Sequence, residues 1–103
     1  MKFDHLAIKV NSVDESIIWY QNRFNAKVLK HYSDWGLILI NELTLALIGS
    51  DKHPEHIAFC VDDIEQFPCQ ESEIKKHRDG SYFFYEEGPN NEIIEWIYWP
   101  KSQ

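Results

Sequence analysis

Two histidines and one glutamate have the residue types and placement for metal chemistry. His5 and His56 each stand at the head of an alternating apolar run, in "DHLAIKV" and "EHIAFCV", and Glu95 lies in "EIIEWIYW". Two neutral imidazoles and a carboxylate make a donor set that can hold a divalent ion on one side and leave positions open for substrate. Strand alternation makes the three candidates for one face. In the first run Leu6, Ile8 and Val10 fall on one side, with His5 and Ala7 on the other. In the second, His56, Ala58 and Cys60 take the side equivalent to that of His5. In the last run Ile93, Glu95, Ile97 and Trp99 oppose Ile94, Trp96 and Tyr98. The candidate metal ligands are therefore His5, His56 and Glu95, and Ala7, Ala58, Cys60, Ile93, Ile97 and Trp99 are candidates for the apolar wall of a substrate cleft. Each has a plainer reading: a strand histidine is more often a hydrogen-bonded core residue, a lone glutamate can guard a sheet edge, and an apolar wall can be ordinary packing. What favours ligands is that the histidine recurs at matching places.

The elements that must position these residues read as one unit said twice. After the first strand, Ser12 and Glu15 have the form of a capping box. Val13, Ile17, Tyr20 and Phe24 follow at helical spacing, and Asn25 suits a left-handed helix end, which predicts a helix over 13–24. Strand patterns cover 27–32, 35–40 and 43–48, with turns at Ser33-Asp34 and Asn41-Glu42. The second half repeats the order in shortened form. It has a strand over 56–61, a short helix capped by Asp62 and ended by Pro68, and strands over 72–79, 81–87 and 92–99. The expectation is an α+β fold of two βαβββ modules forming a curved mixed sheet with a shared cleft. It is a single domain over 1–103, with module one at about 1–50 and module two at about 51–103.

The chain has 103 residues, a net charge of -7 and an aromatic content of 15%, enough for one packed core. An acidic surface argues against nucleic acid and anionic membranes as partners. Nothing reads as a signal peptide or a membrane span, and Cys60 and Cys69 form no CxxC pattern. A cytoplasmic protein with reduced thiols is the expectation. His53 reads as a surface residue, and His31 and His77 as exposed strand residues or as acids or bases outside the ligand set. Trp96, Tyr98 and Trp99 crowd the last strand, which predicts a homodimer that covers aromatic surface.

Three longer stretches carry a family likeness. "FDHLAIKVNSVDESIIWYQNRFNAKVL" resembles the opening of vicinal oxygen chelate proteins, the superfamily of glyoxalases, extradiol dioxygenases, fosfomycin-resistance enzymes and bleomycin-resistance proteins. "EHIAFCVDDIE" is similar to that family's fifth strand and the cap after it, and "GPNNEIIEW" to its closing hairpin. Gly88 stands where the family usually has Asp, and Asn91 where it has Gly. Ala46 stands where four-ligand members carry Glu or Gln, so the resemblance points to the three-ligand arrangement of the dioxygenase and fosfomycin branches. It implies a divalent ion (Fe, Mn, Zn, Ni or Co) at His5, His56 and Glu95, and a small-molecule enzyme that chelates vicinal oxygens of its substrate. The alternative within the same family is a metal-free small-ligand-binding protein of the bleomycin-resistance type.

Overall fold

The computed structural model describes residues 1–51 and 53–100. The chain forms two compact units, one of His5–His56 and one of Met1–Asp4 with residues 57 onward. The division falls within the first and fifth strands. The architecture is α+β, with the strand and helix order β-α-β-β-β in the first half.

In the first half, β1 (Lys2–Lys9) leads to the helix α1 (Val13–Phe24), then to β2 (Lys27–His31), β3 (Trp35–Ile40) and β4 (Leu43–Ile48). The helix starts where Ser12, in an extended conformation, accepts a hydrogen bond from the Glu15 amide at 3.2 Å. It ends where Asn25 turns left-handed at φ 56°, a conformation that Asn tolerates better than most residues. β2, β3 and β4 form an antiparallel meander, and β4 pairs with β1 in parallel, with Ala7 opposite Ala46. Val13 and Ile17 from the helix pack with Ile38, Leu45 and Leu47, and Leu6, Ile8 and Val10 join this cluster. Ala7, Ala46 and Ile48 form a separate cluster with Trp35 and Leu37. The alternation read in the first strand is thus the one the fold uses. Gly36 lets the helix approach β3, since a Cβ there would lie 3.1 Å from both Ile17 and Val13.

The second half keeps the strand order and replaces the helix. β5 (His56–Val61) is followed by two 3-10 turns, Ile64–Gln66 and Glu71–Glu73, then β6 (Lys75–Lys76), β7 (Tyr82–Glu87) and β8 (Ile93–Tyr98). The short helix expected here is a single 3-10 turn, Ile64–Gln66. Asp63, not Asp62, caps the first turn, accepting from the Glu65 amide, and Phe67 is extended at ψ 127°. A residue before proline is pushed out of the helical region, so Pro68 stops the coil one residue early and only a single turn fits. Ile64, Phe67, Cys69 and Ile74 from this irregular segment nonetheless pack with Val61, Phe84, Trp96 and Tyr98, doing what a helix face would do. The strand expected over 72–79 shrinks to two residues, because the chain reverses earlier. β5 and β8 pair in parallel and β8 and β7 antiparallel, which sets Glu95 opposite Ala58 on one side and Tyr85 on the other.

Candidate metal centre

His5 lies in β1 and His56 begins β5. Their Nε2 atoms are 3.0 Å apart, with the rings edge to face at 5.1 Å between centroids. His56 is buried, and its Nδ1 donates to the Pro54 carbonyl at 2.7 Å. A carbonyl can only accept, so this bond places the hydrogen of a neutral His56 on Nδ1 and leaves the Nε2 lone pair for another partner. In the absence of an ion that partner is His5, whose Nε2–H then donates to His56. An ion can take the place of that hydrogen. Two donors about 2.0–2.1 Å from one ion and at a right angle stand roughly 2.8–3.0 Å apart, which is the spacing of these two nitrogens.

Glu95 has 2% of its surface exposed, although it carries a carboxylate. A buried charge needs opposing groups, since its desolvation costs several kcal/mol. One of these groups is His77, whose Nε2 lies 3.0 Å from Glu95 Oε2. The His77 ring is stacked on Phe83 with 3.7 Å between centroids and 9° between planes. Tyr85, directly across the β7–β8 ladder from Glu95, is a half-buried phenol. Burial pushes the Tyr85 phenol well above its usual range, and the negative charge of Glu95 adds to that rise.

The remaining candidates divide by exposure. Ala7, Ala58 and Ile97 are buried. Cys60, Ile93 and Trp99 keep exposed surface, and the Trp99 indole donates to Asp4 at 3.0 Å. Ala46 is buried beside Ala7 and supplies no donor. Both cysteines are unbonded. His53 is exposed, and His31 pairs with Asp14 at 2.6 Å. The expectation of an exposed strand histidine fails at His77, which is partly buried and bonded to Glu95. Its signal was present in "HRDGS". A three-residue loop ending in Gly reverses the chain after His77, so that its amide donates to Ser81 and Gly80 sits at φ 94°. Tyr85 was missed because its place opposite Glu95 depends on the ladder register, which alternation alone does not set.

No family model matches the sequence, and no curated protein matches it. Solved structures do. A hypothetical protein from Bacillus halodurans is 19% identical, with 99% of this chain and 96% of that chain covered and a TM-score of 0.70. Methylmalonyl-CoA epimerase from Mycobacterium tuberculosis is 15% identical, with 97% and 89% covered and a TM-score of 0.68. A glyoxalase/bleomycin resistance protein/dioxygenase superfamily member from Vibrio splendidus is 11% identical, with 94% and 98% covered and a TM-score of 0.67. Identities this low establish a common fold.

Proposed function

We propose that this chain, which has the vicinal oxygen chelate fold, is a divalent-metal-dependent enzyme acting on a small molecule, with His5, His56 and Glu95 as the metal ligands. The observation that carries the reading is the spacing of the donors. Two imidazole nitrogens from distant parts of the sequence, His5 Nε2 and His56 Nε2, stand at the separation that two ligands of one ion at a right angle would have, and strand alternation offers Glu95 as the third. The Pro54 carbonyl supports it by holding the His56 ring with its Nε2 lone pair available. Glu95 contributes the negative charge that two neutral imidazoles lack. When bound, the ion would supply Lewis acidity, polarising neighbouring oxygens of a substrate and stabilising charge that develops on them. Cys60, Ile93 and Trp99 offer the exposed apolar surface against which a small aromatic or aliphatic substrate would rest. Two unbonded cysteines suit a reducing compartment and so a cytoplasmic enzyme.

A second reading has its own observation. The His5–His56 pair is already satisfied as a hydrogen bond without any ion, and Ala46 offers no fourth donor. The same fold would then sequester a small ligand without metal. Metal analysis separates the two. Protein purified without chelator should carry about one divalent ion per chain, and His5→Ala, His56→Ala and Glu95→Gln should each lose it while keeping the wild-type circular dichroism. Wild-type protein that takes up no Mn, Fe, Co, Ni or Zn at saturating concentration would leave the metal-free reading. We further propose that the protein works as a homodimer, on the exposed aromatic surface of its helix.

A further inference from the structure

Resting on the metal reading above, the geometry around Glu95 points to a further role for one residue. We infer that His77 is a positioning residue, which holds the Glu95 carboxylate in one orientation for the ion. An ionised carboxylate only accepts, so the hydrogen of the 3.0 Å bond is carried by His77 Nε2 and Oε2 receives it. That bond fixes the plane of the carboxylate.

The surroundings are built to keep the imidazole in place. Its ring lies flat on Phe83, at 3.7 Å and 9°, which fixes the ring plane. Its backbone is pinned at the mouth of the tight loop, where the His77 amide donates to the Ser81 carbonyl at 2.8 Å and the Gly80 amide donates back to the His77 carbonyl at 3.0 Å. Asp79 closes the loop from inside, its Oδ1 accepting from both the amide and the hydroxyl of the buried Ser81 at 2.8 and 2.6 Å. An isolated surface histidine would not need a stacking partner, a left-handed glycine and a fully buried serine behind it. Groups that orient a metal ligand typically change metal affinity about 10–100-fold when removed.

The test compares Co(II) binding by calorimetry and by visible absorption in wild type, His77→Phe, His77→Gln and Glu95→Gln. Phenylalanine keeps a ring to stack on Phe83 and removes the donor, whereas glutamine restores an N–H at a similar reach. His77→Phe should bind Co(II) about 10–100-fold more weakly, with an altered visible spectrum. His77→Gln should recover most of the affinity and the wild-type spectrum. Glu95→Gln should lose the ion, which checks the metal reading independently. If His77→Phe binds Co(II) with wild-type affinity and spectrum while Glu95→Gln does not bind, the inference is overturned and the metal reading stands. If wild type itself takes up no Co(II), both fall. In the metal-free protein, nitrogen NMR should find His77 protonated at Nε2, with that resonance moved by Glu95→Gln, and an Nε2 without hydrogen would also overturn the inference.

Discussion

Glu95 is a buried carboxylate, and Tyr85 across the ladder registers its charge. Its phenol is raised first by burial and second by the Glu95 charge. The folded chain therefore keeps this proton to higher pH than the unfolded chain does. Tyr85 contributes its full stabilisation below about pH 10, and that contribution is lost as pH rises from there toward the folded-state value. In metal-free protein, a near-ultraviolet titration of the five tyrosines should show one ionising well after the rest. Glu95→Gln should lower that late midpoint without removing it, because burial remains. A midpoint untouched by the substitution would show that the carboxylate does not act on the phenol. Of the candidate site, what the sequence made legible was the strand alternation that assigns His5, His56 and Glu95 to their sides. The reversal after His77 was written in "HRDGS", but its bond to Glu95 and the place of Tyr85 depend on the register of the finished sheet.

Among the elements, the first half was more transparent than the second. Helix α1 carries its own start and stop signals, and each is used: Ser12 at one end and Asn25 at the other. Ser12→Ala should destabilise the protein by about 1 kcal/mol, measured by chemical denaturation. Ser12→Asp should be close to neutral, as another residue able to accept from the Glu15 amide. Equal losses from both would mean that the cap bond is not what matters there. Among the described residues three non-glycines, Asn25, Asn41 and Asn91, take positive φ, and all are asparagines at chain reversals. Asn91 thereby makes the turn of the closing hairpin without a glycine, with the Gly88 amide donating to the Glu92 carbonyl at 2.8 Å. The second half was harder to read because Pro68 interrupts a segment whose apolar residues still find the core. Periodicity detects a helix by the regular return of such residues, and Ile64, Phe67, Cys69 and Ile74 return without one. Packing here is satisfied by irregular backbone.

At the scale of the molecule, the surface decides association. Ile18, Trp19 and Phe24 are 56%, 54% and 49% exposed on α1. Trp19 stacks edge to face on both Tyr20 and Phe24, and Arg23 lies over Phe24. Trp96 and Tyr98, which suggested self-association in the sequence, are instead drawn into the core beside Phe84. The homodimer is therefore expected through the helix surface, and sedimentation at micromolar concentration should give a dimer that Trp19→Glu dissociates. A monomer at high micromolar concentration would count against it. No helix among the described residues is long and apolar enough to cross a membrane. The parallel ladders have a consequence in time. β1 finds β4, and β5 finds β8, only after everything between them has been made, so Ala58 comes to face Glu95 late. Contacts of that range close slowly, after local helices and hairpins have formed. The donors of the candidate centre are then scattered along the chain until the last strand docks. On the proposed metal reading, an ion would be selected only by the finished protein, and a folding chain would not be trapped by whichever metal it meets first.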